Sequence, residues 1–455
     1  MSAAAIPLAG GRPPRRRKVA VVGAGIAGLG TAWHLSATAE VTLFEAGGHF
    51  GGHANTVDVT LDGVTHGVDT GFLVFNHATY PRLVRLFEQL AVPTAASDMS
   101  FSVQVPGQGL EWSGSNLDTV FAQRRNLLSG RFLGMLRDLL RFNRLTTAIA
   151  ERQAEHELAQ PLGDFLREQR FGDAFRDWYL LPMLGCIWSC PTDQMLAFPV
   201  ATMVRFCHNH GLIRVANRPQ WHTVRGGSRE YVRRLLPAIA DARLNSPVLA
   251  VERMPPGTGS AGVWVITARG RERFDDVVLA THADRSLALL GAQATAEERA
   301  VLGAIRYQPN RAVLHTDAGV LPQRRKAWAA WNYERAPGLA QEQSAVCLHY
   351  LINRLQPLPW TQPVVVSMNP VRPIDPARIL AEFSYDHPVF DLAAIAAQAR
   401  VPALQGQSHL WFAGAWCGYG FHEDGLRAGM DVAAAMQARW QLEDAAGTVP
   451  VAAAA

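Results

Sequence analysis

Three glycines and one carboxylate carry the clearest chemistry in this chain. Gly23, Gly25 and Gly28 stand in G-x-G-x-x-G spacing, and Glu45 follows Gly23 by 22 residues. The first glycine permits a tight turn, the second lets backbone approach a pyrophosphate, and the third lets a helix pack closely on a sheet. A carboxylate at that distance accepts hydrogen bonds from ribose hydroxyls and repels a 2′-phosphate. The arrangement suits the ADP half of a dinucleotide. The elements around it must then be a strand, a turn, a helix and a second strand. Val19 to Val22 is an apolar β-branched run fit for a buried parallel strand. Ile26 to Leu35 reads as a helix whose positive N-terminal end faces the phosphates, and Val41 to Phe44 as the strand that delivers Glu45. Gly257, Gly259 and Gly262 repeat the glycine spacing, but they follow Pro255 and Pro256 and precede a strand, so they read as a hairpin turn.

Further segments fall in a telling order: His49-Phe50-Gly51-Gly52-His53, Asp69-Thr70-Gly71-Phe72, and His409 to Met436 near the C-terminus. Together with the glycine motif they resemble the flavin-containing amine oxidase and phytoene desaturase superfamily. The resemblance implies an α/β fold in which a Rossmann-like FAD-binding domain of amine oxidase type is interleaved with an α+β substrate domain. It implies that Gly51, Gly52 and His53 lie along the cofactor. Leu410 to Gly414 would be the strand ending in F-A-G, and Gly425 to Met436 the helix that closes the site. Arg225-Gly226-Gly227 would precede another helix, Asn245 to Val251 would be the strand meeting the adenine, and Val277 to Thr281 the strand returning to the sheet. Cofactor contacts are accordingly expected from Gly23, Gly25, Ile26, Ala27, Gly28, Glu45 and Ala46, from Gly51, Gly52, His53, Gly71 and Phe72, and from Val248, Gly414, Asp424, Gly425 and Leu426. His53 stands where arginine is usual in that family. Ala415 stands where an acid is frequent, which leaves a ribityl contact to Glu423 or Asp424. No Ser-Gly-Gly-Cys-Tyr segment precedes F-A-G, and Cys417 lies beyond it, so the expected FAD is non-covalent. No metal is expected.

Asn310 to Pro322, Ala327 to Tyr333 and Gly418 to Leu426 also resemble a bacterial subgroup of predicted FAD-dependent oxidoreductases. That likeness implies a link to modification of fatty acyl chains.

Three chemistries remain open. An amine oxidase would use a lysine beside the flavin and an aromatic cage. The chain holds only Lys18 and Lys326, and the latter follows two arginines, as on a solvated face; Trp331, Tyr333, Trp416, Tyr419 and Phe421 are cage candidates. A desaturase would need an apolar channel, for which Phe198, Met203, Phe206, Trp328, Trp331 and Tyr350 are available. His422, and after it His315, are the candidates for a general base because histidine titrates near neutrality; Tyr333 joins them as a catalytic candidate. For each of these residues plain core packing is the alternative. A flavin-dependent isomerase would return the hydride and need no acceptor. No second dinucleotide motif is present, so electrons are expected to leave to oxygen, a quinone or another protein rather than to come from a nicotinamide.

With 455 residues, 48% of them hydrophobic, the chain can bury a large core. A net charge of +4 gives no footprint for nucleic acid. The cofactor domain is expected from 15–76, 215–300 and 400–445, the substrate domain from 77–214 and 301–399, with 1–14 and 449–455 disordered. Five cysteines, an odd number, and no secretory leader point to reduced thiols and a cytoplasmic protein; Cys186 and Cys190 are four apart and read as paired thiols. No segment offers some ~18 uninterrupted apolar residues to span a membrane. Arg124 to Ala150 nevertheless has Leu128, Phe132, Met135, Leu139 and Phe142 on one helical face and Arg137, Arg141 and Arg144 on the other. It reads either as a peripheral contact with the inner face of a membrane or as an ordinary helix with a solvated arginine face. The expected ligand is a hydrophobic small molecule or lipid.

Overall fold

A computed structural model describes residues 16–152, 160–188, 191–213, 218–254, 262–338 and 345–447. The termini read as disordered, Cys190, and the turn at Gly257 and Gly259 lie outside these residues. The strands flanking that turn, Val248–Arg253 and Val263–Thr267, pair antiparallel, with Arg253 opposite Val263.

The strand Arg17–Val22 sits at the centre of a five-stranded parallel sheet. Across the sheet the order is Asp241–Arg243, Ala39–Phe44, Arg17–Val22, Asp276–Leu279, Leu410–Phe412. Val19, Val21, Val277 and Val278 are fully buried, as a strand covered on both faces requires. Helix Ile26–Leu35 covers one face and packs along helix His422–Gly447. Every strand of this sheet comes from 15–76, 215–300 or 400–445.

The second large sheet has seven strands: Ile379–Val389, Arg306–His315, Val365–Met368, Cys347–Leu351, Trp331–Glu334, Phe101–Val105 and Leu110–Ser113. All are drawn from 77–214 or 301–399. Helix Gly130–Glu151 belongs to the same stretches. One small sheet joins the two groups, because Trp221–Val224 pairs with both Phe75–Asn76 and Thr94–Ser97.

The strand expected at Asn245 to Val251 runs instead from Val248 to Arg253. Asn245 has φ of +48°, a left-handed conformation that no strand contains. The basic helix also starts later than its apolar spacing suggests. Ser129 caps it by accepting from the Phe132 amide, and Leu128, in the turn before the cap, is 92% exposed rather than on the buried face. Phe132, Met135 and Phe142 do face the core.

Candidate functional site

The glycine loop between the first strand and helix is shaped by two different demands. Gly23 has φ of +100°, and a Cβ there would lie 2.8 Å from the Ala280 carbonyl oxygen. A Cβ on Gly28 would collide with the Gly23 carbonyl oxygen. Both glycines are imposed by the protein's own packing. Gly25 is not: a Cβ there would meet no protein atom within 4 Å, and it would project into a large cavity that Gly25 lines. Helix Ile26–Leu35 begins at this point with no side-chain cap and no acidic residue in its first turn, which leaves its dipole for an anion.

Glu45 is fixed at the end of the second strand. One carboxylate oxygen accepts from the Ala24 amide at 3.0 Å and the other from the Gly47 amide at 2.8 Å. A carboxylate has about four acceptor sites, so capacity remains for hydroxyl donors. The Gly51–Gly52 turn lies directly on the glycine loop, with the Gly51 amide donating to the Ala24 carbonyl. Gly71 and Phe72 cross behind His53, and the Phe72 amide donates to the His53 carbonyl at 2.7 Å.

His53 therefore stands at the edge of the cavity, and its Nε2 is buried without a partner. Around it gather His387 (ring centroids 5.5 Å apart), His282 (6.3 Å) and Tyr385 (4.9 Å). His282 stacks on Tyr307 at 4.4 Å, and the Asn310 amide nitrogen lies 3.3 Å from His387 Nδ1. Burial lowers the pKa of all three histidines, His387 to about 4; for His53 the neighbouring histidines lower it further. These rings are neutral at physiological pH. They can hydrogen-bond to a ligand but do not attract it as cations. Sequence spacing missed His282 and His387 because the fold brings them to His53 from far along the chain.

The cavity has a volume of about 1490 Å³. It runs from the glycine loop to a region walled by Phe101, Trp112, Met183, Ile187, Phe206 and Trp331. Of the expected cofactor residues, Gly23, Gly25, Ile26, Ala27, Glu45, Ala46, Gly51, Gly52, His53, Gly71, Phe72, Val248 and Gly414 line it. Gly28, Asp424, Gly425 and Leu426 do not. Asp424 turns away to accept from the Tyr419 and Phe421 amides and from Arg427, and Glu423 caps helix Pro81–Gln89 through the Arg82 and Leu83 amides. Neither acid faces the cavity to meet a ribityl chain. Gly425 and Leu426 serve close helix packing: a Gly425 Cβ would press on Ile26, and Leu426 fills the space beside Gly30.

The three catalytic candidates separate in the same way. His422 reaches the cavity wall, but its Nε2 lies 3.1 Å from the Tyr231 hydroxyl and its ring stacks on Phe72 at 3.7 Å. Burial pushes its pKa to about 3, which makes it a poor proton acceptor near neutrality. His315 is wholly buried in the seven-stranded sheet, with Nε2 at 2.7 Å from the Ser367 hydroxyl and its pKa lowered to about 4 by burial. Tyr333 is buried in the same sheet. Neither lines the cavity. Of the cage and channel candidates, Phe206, Trp331, Tyr350, Trp416, Tyr419 and Phe421 line it, while Phe198, Met203 and Trp328 do not. Lys326 is exposed and pairs with Asp118 at 2.9 Å; neither it nor Lys18 reaches the cavity.

A glycine loop, an anchored acidic residue, a glycine-pair turn and an F-A-G strand surrounding one cavity are what the sequence resemblance implied. The family model for flavin-containing amine oxidoreductases matches residues 26–312. The chain belongs to that family. Members bind a flavin, and the open space at Gly25 together with the unpartnered His53 Nε2 fits such a group. Solved structures share the fold of this flavoprotein across nearly its whole length. A putative protoporphyrinogen oxidase from Exiguobacterium sp. 255-15 is 18% identical with a TM-score of 0.63, covering 93% of this chain and 99% of that one. A CLA-producing fatty acid isomerase from P. acnes is 15% identical with a TM-score of 0.64, covering 92% and 98%. Cyclohexylamine oxidase from Brevibacterium oxydans IH-35A is 16% identical with a TM-score of 0.64, covering 94% and 100%. No curated protein sequence matches the chain.

The buried histidines give this oxidoreductase a defined acid sensitivity. His53, His210, His387 and His422 all have pKa values lowered by burial, so the unfolded chain binds more protons than the folded one below about pH 6.5. Stability must fall as pH drops from there towards 4. Asp69, raised to about 6 by burial, acts in the opposite sense, as do Glu423 and Asp424, but burial lowers His282, His315 and His349 as well, so the histidines outnumber these acids. Thermal unfolding at stepped pH is expected to show a falling midpoint over that window; a flat or rising midpoint would contradict the neutral assignment.

Proposed function

We propose that the protein is an FAD-dependent oxidoreductase that dehydrogenates a hydrophobic, lipid-like substrate such as an acyl chain, with the FAD held non-covalently. The observation that carries this reading is the cavity itself. It is far larger than a flavin's reacting edge needs, and the arm beyond the glycine loop is walled in large part by aromatic and aliphatic side chains, Phe101, Trp112, Met183, Ile187, Phe206 and Trp331 among them. An unactivated chain can be held only by shape and apolar contact, which such walls supply. An amine oxidase is the alternative, but no lysine lines the cavity and its charged residues include Arg218, Arg285 and Arg354 beside Glu45, Asp98 and Asp386. Asp98 is paired with Arg354 at 3.3 Å, so it offers no free countercharge to an ammonium.

Bound flavin would supply the hydride acceptor. The chain's own residues would do the rest. Gly25, Glu45, Gly51 and Gly52 would hold the dinucleotide, with His53 donating or accepting one hydrogen bond there as a neutral ring. The aromatic walls would align the chain and exclude water. Non-covalent attachment is supported by Cys417, which lies off the cavity with its thiol pushed up to about 12 by burial; Cys186 lines the cavity, but burial raises its thiol well above the ordinary value, which leaves it a poor nucleophile. The reading is tested by mass analysis of acyl lipids incubated with holoprotein under oxygen. A product lacking two hydrogens supports dehydrogenation; an isomer of unchanged mass, or amine consumption in its place, overturns it. Narrowing the apolar arm supplies a second check. Leu136→Trp should retain flavin yet lower kcat/KM for a long acyl chain about tenfold or more. Equal efficiency would mean the chain does not occupy that arm.

A further inference from the structure

The part of the molecule between Leu117 and Arg144 is unlike the rest of its surface. Ten large hydrophobic residues are exposed among the described residues, and five of them, Leu117, Leu127, Leu128, Leu133 and Leu140, fall in this one stretch. The same 28 residues contain six arginines and two aspartates, a net charge of +4 that equals that of the whole chain. One of the aspartates, Asp138, is buried and engaged by Arg137, Arg141 and the Gly172 amide. The other, Asp118, is shared between Arg124 and Lys326. The outward charge is therefore basic, with Arg131 and Arg144 exposed and Arg137 80% exposed.

Two of these leucines also belong to the cavity. Leu117, 77% exposed, and Leu140, 53% exposed, both line it, together with Val120, Leu136 and Leu139 from the same stretch. A residue that is open to solvent and also lines the cavity marks its rim. The apolar arm thus opens within the patch of exposed leucines and arginines.

We propose that this face docks on an anionic lipid bilayer, with the leucines entering the acyl boundary, the arginines at the lipid phosphates, and the cavity mouth facing the membrane. Exposed leucines bordered by cations match the apolar and charged layers of such a surface. No helix among the described residues is long and apolar enough to cross a membrane, so contact through this face is peripheral. A single amphipathic patch gives reversible, salt-sensitive binding rather than permanent anchoring.

Co-sedimentation of holoprotein with vesicles tests this without any turnover, so its failure is distinct from failure of the substrate reading. Vesicles of phosphatidylcholine alone are compared with vesicles containing one-third phosphatidylglycerol, a ratio of about 2:1. Binding at least tenfold tighter to the anionic vesicles, weakened by salt, is expected. The double substitution Arg137→Glu and Arg144→Glu should lower that binding at least tenfold. Leu128→Asp, at a position too exposed to affect folding, should lower it several-fold while leaving soluble-substrate activity intact. Arg271→Glu, on the strand Gly270–Phe274 that pairs antiparallel with Val263–Thr267, should leave binding unchanged. Absent binding, equal binding to both vesicle types, or an equal loss with Arg271→Glu would overturn the proposal.

Discussion

Gly25→Val yields a folded, colourless protein. A Cβ at Gly25 meets no protein atom within 4 Å, so the native packing can accept the change. The added methyl groups instead enter the cavity at the start of helix Ile26–Leu35, where a pyrophosphate must approach the backbone. Affinity for FAD should fall about 100-fold or more, equivalent to about 2.7 kcal/mol. Circular dichroism and the thermal midpoint of flavin-free protein should stay near those of the flavin-free parent. Gly28→Val gives the needed contrast, because its side chain would strike the Gly23 carbonyl and the fold itself should fail. A yellow Gly25→Val protein with normal flavin content would contradict the assignment of this loop.

Asp69→Ala is expected to cost about 3 kcal/mol or more of stability. Asp69 is 1% exposed and accepts from the Thr56 and Ser228 hydroxyls, the Ser228 amide and the Gln356 side-chain amide, all between 2.6 and 3.0 Å. The Asp69 amide donates back to the Gln356 Oε1 at 2.9 Å. This one carboxylate ties the strand Val64–Asp69, the turn before helix Arg229–Leu235, and the chain leaving the seven-stranded sheet at Gln356. Removing it strands several buried donors, each worth about 1–3 kcal/mol. Asp69→Asn keeps the shape but turns one acceptor into a donor facing donors, so it should also be destabilising. Burial raises the Asp69 pKa to about 6, and the hydrogen bonds from Thr56 and Ser228 oppose that rise. The folded form therefore binds the proton more readily than the unfolded form, and Asp69's contribution weakens as pH rises through about 6. Chemical denaturation near neutral pH measures the effect. A loss below about 1 kcal/mol would mean water replaces the carboxylate at no cost.

Local sequence made the strand–turn–helix–strand unit at the glycine loop legible, for a physical reason. Gly23, Gly25, Gly28 and Glu45 act through spacing along one strand–turn–helix–strand unit, and that unit folds as its pattern requires. Sites assembled by tertiary packing were not legible. His53 faces His387 and Tyr385 from a strand more than 300 residues away, and nothing near His53 announces them. Asp424 is expected at a ribityl chain because Ala415 stands where an acid is frequent, yet the helix start turns its carboxylate back to accept from its own loop. Leu128 falls on the apolar face only if α-helical periodicity is carried back past the Ser129 cap, where the chain is a 3-10 turn of different pitch. His315 and Tyr333 stand out in the sequence by side-chain chemistry alone, and burial inside a sheet keeps both from the cavity.

The measurement that bears most directly on function is the visible spectrum of holoprotein mixed anaerobically with acyl lipids and, separately, with a panel of primary and secondary amines. The cavity predicts that lipids bleach the flavin band and amines leave it unchanged. Bleaching by amines with no response to lipids would contradict the account and return the protein to amine oxidation.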